Sequence, residues 1–126
     1  MSLSTSFQNR LCNDIQVTIA NNATVSSSEN LGGTSLVAVK VPAGFAGTKI
    51  RFQGSFDNIN FFDIKSAFNG DYIEAIVGPN AMYTIEQPAL YICNYIKIVA
   101  LTTQTQEIVL NLLTRAWAIF HLLSIS

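Results

Sequence analysis

The sequence predicts an all-β fold, an antiparallel β-sandwich of about eight strands with immunoglobulin-like or jelly-roll-like character. An extended N-terminal arm and an apolar C-terminal tail flank it. Three observations carry the prediction. Short stretches in which apolar and polar residues alternate recur between residues 15 and 113. Clusters of Gly, Pro, Asn and Ser separate them at intervals of roughly ten residues. No long helical period lies between the strands, which argues against a parallel α/β sheet.

Taken in order, Ile15, Val17 and Ile19 alternate with Gln16 and Thr18, a half-buried strand that ends at the turn-forming pair Asn21-Asn22. The Ser-rich TVSSSEN then leads to Gly32-Gly33, a loop or weak edge strand. In SLVAVKV, residues 35–41, Leu36, Ala38 and Lys40 fall on one face and Val37, Val39 and Val41 on the other. Pro42 stops this strand, because its ring nitrogen donates nothing to a ladder. The turn-rich PAGFAG precedes TKIRFQG (48–54), and NFFDI (60–64) pairs back on that strand. SAFNGD is a loop, YIEAIV (72–77) a strand, GPN a turn, and MYTIEQ (82–87) a strand stopped by Pro88. In LYICNYIKIVA (90–100), Ile92, Ile96 and Ile98 share one face with Leu90, while Tyr91, Cys93, Tyr95, Lys97 and Val99 share the other. TTQTQ links it to EIVLNLL.

The C-terminus has competing readings. Ile108, Leu110 and Leu112 alternate as in a strand, whereas Asn111, Arg115, Ala118, His121 and Ser124 recur as the polar stripe of a helix. A last strand to about Leu113, then a short tail or helix, is favoured. The apolar stretch after Arg115 is half the roughly twenty residues a membrane span needs. The expected domain plan is an arm over 1–14, a sandwich over 15–115 and a tail over 116–126.

Composition narrows the function. The chain has 126 residues, enough for one domain with a core of its own. Charged residues are only 12 % of it, against 49 % hydrophobic, and the formal net charge is −1. Ser, Thr, Asn and Gln fill the deficit, so little charge repulsion keeps copies or partners apart. The three arginines and four lysines are scattered, which argues against a nucleic-acid partner that needs a basic track. No membrane partner is expected. Cys12 and Cys93 form no CxxC pair and read as two buried thiols, with a structural bridge as the alternative. The first fourteen residues lack the apolar run of a signal peptide and read as an arm.

Catalytic constellations are sparse. His121 is the only histidine and sits in the apolar tail, far from any nucleophile–base pattern. Two distant cysteines and one histidine do not make a zinc set. Gly32-Gly33 and PAGFAG lack phosphate-loop spacing and the helix that follows it. The expectation is a non-enzyme with no cofactor, no metal and no catalytic residue. The oxygen-rich FQGSFDNINFFDI (52–64) is the exception to weigh. A calcium loop wants a denser ladder of acids than Asp57, Asn60 and Asp63 provide. Asp57-Asn58 suits a tight turn instead, with Ile50, Phe52 and Gly54 on one face before it and Phe62 and Ile64 continuing that face after it. The stretch reads as a hairpin.

The same stretch resembles a pattern in small β-sandwich structural proteins of tailed bacteriophage virions. There a strand ending F-x-G-S is followed by D-G or D-N, then F/W/Y-x-D-L/I; here the pieces are Phe52-Gln53-Gly54-Ser55, Asp57-Asn58 and Phe61-Phe62-Asp63-Ile64. Residues 17–45, YICNYIKIVA (91–100) and EIVLNLLTRAW (107–117) resemble that group's opening, late strand and closing strand, so the likeness spans residues 15–117. Asn58 stands where those proteins often have Gly, and AIFHLLSIS after Trp117 departs from the pattern. The resemblance implies a virion location and a non-enzymatic role as a capsid decoration or cement protein. Other virion proteins (the major capsid protein or tail proteins) and further copies of the chain would be its partners. Interface residues are expected in the arm (Leu3, Phe7, Leu11) and the tail (Trp117, Ile119, Phe120, Leu122, Leu123).

The hairpin is also similar to the "G-S-x-D-G-x-x-W" element of discoidin-like carbohydrate-binding sandwiches. That likeness implies a tail or fibre glycan-binding module, with Phe56, Asp57, Asn58, Phe61, Phe68 and Tyr72 as the ligand loops. The discriminator is whether those aromatics are buried. A tail-tube or connector component is a third reading.

Overall fold

A computed structural model describes residues 12–32, 34–85 and 94–116. Among them are nine strands and no helix. They are β1 (Cys12–Ile19), β2 (Glu29–Asn30), β3 (Thr34–Val41), β4 (Lys49–Ser55), β5 (Phe62–Asp63), β6 (Glu74–Ile76), β7 (Ala81–Thr84), β8 (Tyr95–Ala100) and β9 (Ile108–Ala116). One sheet has the order β1-β9-β3-β7; the other has β2-β8-β4-β5, with β6 also paired to β4. Every pairing is antiparallel, and the two sheets face each other as a β-sandwich.

The alternation anticipated from the sequence sets the core. Val17 and Ile19 of β1, Ile108, Leu110 and Leu112 of β9, Ile50 and Phe52 of β4, and Ile96, Ile98 and Ala100 of β8 are all buried. Each large one contributes about 1.5–3 kcal/mol on leaving water. The neighbours between them, such as Gln16, Arg51 and Lys97, remain wholly or partly exposed.

Strand β3 departs from simple alternation. Period-two spacing groups Leu36 with Lys40, yet Leu36 is buried with Val39 and Val41 while Lys40 is exposed. The cause is a β-bulge: Leu36 stands opposite Thr114 and Ala38 opposite Leu113, so Val37 is an extra residue that resets the phase. The Val37 carbonyl accepts from Ile85 N–H at 2.8 Å, tying the bulge to the end of β7.

The ends also differ from expectation. β1 begins at Cys12, opposite Arg115, so strand replaces arm for the last residues of the segment assigned to 1–14. β9 runs to Ala116 rather than stopping near Leu113, because two neighbours, β1 and β3, supply ladder partners along its length. The chosen interface positions Leu3, Phe7, Leu11, Trp117, Ile119, Phe120, Leu122 and Leu123 lie outside the described residues, as do Cys93 and His121. Among the described residues, no helix is long and apolar enough to cross a membrane.

Candidate functional site

The oxygen-rich stretch is a hairpin. β4 and β5 pair through Gln53 opposite Asp63 and Gly54 opposite Phe62, and the turn between them is built around Ser55 and Asp57. The buried Ser55 hydroxyl accepts from Asp57 N–H (3.2 Å) and Asn58 N–H (3.0 Å) and donates to Asp57 Oδ1 (2.9 Å). The same Oδ1 accepts from the N–H groups of Ile59 and Asn60, both at 2.9 Å, and Oδ2 accepts from Asn60 Nδ2 at 3.0 Å. Asn58 takes the left-handed conformation at φ 62°, which its short amide tolerates, and its Oδ1 accepts from Ser28 Oγ at 2.8 Å.

These donors, first Asn60 N–H, then Ile59 N–H, the Ser55 hydroxyl and the Asn60 amide, hold the Asp57 carboxyl far below the ordinary carboxylate range. Its oxygens are spent on shaping the turn. Among the described residues, no group of three or more His, Cys, Asp or Glu side chains is placed to hold a metal.

A second hairpin follows. Ile64 N–H donates to Phe52 O and Ile73 N–H to Ile64 O, both at 2.9 Å, and Lys65 bridges Tyr72. Its loop is closed by Ser66 N–H to Asp71 O (2.8 Å) and Gly70 N–H to Ser66 O (2.7 Å), with Gly70 at φ 77°. Beside it a groove of about 670 Å³ opens along β4 and β6, lined by Lys49, Arg51, Asn69, Asp71, Tyr72 and Glu74 among others. Arg51 Nε donates to Glu74 Oε2 at 2.6 Å, and Lys49 Nζ stands 3.8 Å from Glu74 Oε1. The Arg51 hydrogen bond lowers the Glu74 pKa, partial desolvation opposes it, and the charges of Arg51 and Lys49 add to the lowering.

The aromatic candidates are solvent-facing rather than core. Phe56 is 73 % exposed, Phe68 97 % and Tyr72 36 %, and Phe61 is half-buried. Phe56, Asp57, Asn58 and Phe61 share the first turn, Phe68 tops the second loop, and Tyr72 lines the groove. Two of the four rings are already covered by cations. The Arg51 guanidinium lies 3.8 Å and Lys65 Nζ 4.5 Å from the Tyr72 ring centre, and Lys97 Nζ lies 4.3 Å from that of Phe61.

Sequence reasoning missed Ile59, Phe62 and Ile76, exposed by 80 %, 72 % and 77 %. Phe62 does share the face of Gly54 and Phe52, as expected, but β5 is an edge strand and that face is uncovered there. The groove's Arg51–Glu74 pair was legible in principle as opposite charges at the same phase of facing strands.

No protein-family model matches the chain, and no curated protein matches it. Among solved structures, the chain is similar to the SPBc2 prophage-derived protein YomS, with a TM-score of 0.50 and 10 % sequence identity, over 82 % of this chain and 94 % of that one. It is also similar to the Yersinia pseudotuberculosis-derived mitogen, with a TM-score of 0.40 and 12 % identity, over 82 % and 84 % of the two chains. At these identities the first likeness speaks for the fold, a single sandwich of comparable extent.

Proposed function

We propose that the chain is a non-enzymatic structural component of a phage particle, a sandwich that holds to neighbouring virion proteins. The observation that carries the reading is the fold likeness to a prophage-derived protein over nearly all of that protein's length. The low-charge surface supports it, as do Phe56, Ile59, Phe62 and Phe68, which crowd the exposed turns and the edge strand beside β4. Capsid decoration or cementing is the finer form of the proposal. Its mechanism is mechanical: several modest apolar contacts, repeated over many copies, sum to a firm hold. The carboxylates serve the scaffold in this reading, Asp57 fixing a turn and Glu74 pairing with Arg51.

The test is immunogold labelling of intact particles from a culture that expresses the chain. Labels in a regular arrangement on heads or tails support the proposal, and unlabelled particles with the chain free in the supernatant contradict it. A second reading, a tail or fibre glycan-binding module, draws on the open rings of Phe56 and Phe68. It is weakened by the cations over Tyr72 and Phe61, which occupy faces a sugar would stack on. A glycan array with Phe56→Ser and Phe68→Ser as controls separates it.

A further inference from the structure

We propose that the outer face of the β2-β8-β4-β5 sheet, together with the groove along β4 and β6, binds acidic oligosaccharides, chains whose sugar rings carry both a carboxylate and free hydroxyls. The inference begins with strand register. Four of the chain's seven Lys and Arg residues, scattered along the sequence, come together on this face. Ile50, Phe52, Ile96 and Ile98 point into the core, so Lys49, Arg51 and Gln53 of β4 and Lys97 of β8 point outward. Gln53 stands opposite Lys97 and Arg51 opposite Val99, which makes Arg51 and Lys97 diagonal neighbours, roughly 7–8 Å apart along the backbone. Lys65 joins them from the second hairpin, where it and Arg51 both lie against the Tyr72 ring.

The same face carries three carboxylates. Glu74 pairs with Arg51 and Lys49, Asp63 Oδ1 accepts from Gln53 Nε2 at 3.1 Å, and Asp71 lines the groove. Among the described residues, Lys65 and Lys97 have no carboxylate within ion-pair distance. Arg51 meets Glu74 through Nε, which leaves its terminal amino groups to a ligand. Asn69 Oδ1 accepts from Asp71 N–H at 3.0 Å, so its amide nitrogen is the group left to donate into the groove.

This mixture selects the ligand class. The cations suit the carboxylate of an acidic sugar, while Asp71 and Glu74 suit its hydroxyls. A single-stranded nucleic acid would bring a phosphate at every nucleotide against three carboxylates, with few hydroxyls for them to accept from. The cations that close the Tyr72 and Phe61 rings to a neutral sugar are themselves contacts for a charged one. The groove's volume of about 670 Å³ falls within the roughly 300–1,000 Å³ of small-molecule sites. The site uses none of Phe56, Ile59, Phe62 and Phe68, so it depends neither on the particle contacts nor on stacking at the exposed rings. Either can fail without it.

The test is isothermal titration calorimetry of the full-length chain with a galacturonate tetramer and with its methyl ester, which keeps the rings and hydroxyls and removes the charge. The acid is expected to bind about tenfold or more tighter than the ester, and to weaken as salt is added. Lys65→Gln with Lys97→Gln is expected to cost about tenfold in affinity, at surface positions where folding changes little. Lys40→Gln, an exposed cation on β3 of the other sheet, and Phe56→Ser are expected to leave binding unchanged. Absence of binding by the acid, or equal binding of acid and ester, overturns the proposal. So does a loss in Lys40→Gln as large as in the double variant, which would show net charge alone at work. A loss confined to Phe56→Ser would move the site to the ring platform, and tighter binding of a single-stranded oligonucleotide of equal charge would move it to another ligand class; both overturn the proposal.

Discussion

Gln104→Leu removes a buried amide that clamps three loops at the end of the sandwich opposite the hairpin turn. Gln104 is fully buried. Its Nε2 donates to Ala46 O (2.7 Å) and Thr102 O (2.9 Å), and its Oε1 accepts from Ala46 N–H (2.9 Å). Its backbone joins the β1–β2 loop, with Gln104 N–H to Ala23 O at 3.1 Å and Asn22 N–H to Gln104 O at 2.8 Å. Leucine keeps the volume and deletes three side-chain hydrogen bonds. Each stranded backbone partner costs about 1–2 kcal/mol, water reaching some of them. Burying leucine returns about 1–2 kcal/mol. The net loss is therefore about 2–4 kcal/mol, a fall in Tm of roughly 8–15 °C for a domain of this size. Urea unfolding followed by far-UV circular dichroism measures it, with an unchanged m-value showing that the fold survives. A loss under about 0.5 kcal/mol would refute the clamp.

A charged variant sharpens the point. In Gln104→Glu the ionised carboxyl can accept from Ala46 N–H but faces the Ala46 and Thr102 carbonyls with no proton between them. Burial and those carbonyls raise its folded pKa above the unfolded value, so the variant is most stable below the unfolded pKa of about 4 and loses stability as pH rises from there through the folded pKa.

Three further perturbations follow from the same geometry. Gly47 has φ 118°, and an added Cβ would meet Thr102 Oγ1 at 3.0 Å; Gly47→Ala is expected to cost about 1–3 kcal/mol in the same unfolding assay. Asp57 has a depressed folded pKa, so its contribution to stability is fully present above its unfolded pKa of about 4 and fades as pH falls below it. Asp57→Ala should remove that acid-dependent component and broaden the amide resonances of Ile59 and Asn60, which a pH series of NMR spectra reads. Phe52→Ala opens a cavity in the centre of the core and is expected to cost about 3–5 kcal/mol by the same denaturant melt.

The parts of the fold that were legible in the sequence are those governed by side-chain period. Ile96 and Ile98 against Tyr95 and Lys97, or Ile108, Leu110 and Leu112 against Asn111, announce their inner and outer faces because a strand has no other way to bury every second residue. The bulge at Val37 was not legible, since alternation in SLVAVKV is satisfied in either phase and the partner strand decides which residue is extra. The Asp57-Asn58 turn was readable from residue types alone, down to the positive φ at Asn58. The exposure of Phe62 was not. Its phase is inward, and only the sheet order shows that β5 lies at an edge. Gln104 sat unnoticed in the polar link TTQTQ, because nothing local distinguishes a buried amide from a solvated one. The groove beside Tyr72 arises from three segments that meet only after β6 has folded onto β4.

The two functional readings make opposite demands on the same exposed rings. As a contact surface, Phe56, Ile59 and Phe62 act together through apolar area, so Ile59→Ser should matter as much as Phe56→Ser. As a sugar platform, only flat rings count, and Ile59→Ser should be silent.

The most direct test of the structural-component account is peptide mass spectrometry of phage particles purified by density gradient from a culture that carries this gene. The account predicts that the chain bands with the particles at a constant ratio to the major capsid protein, and that the ratio survives a second gradient. Recovery of the chain only in the free protein fraction, with none in the banded particles, would contradict it.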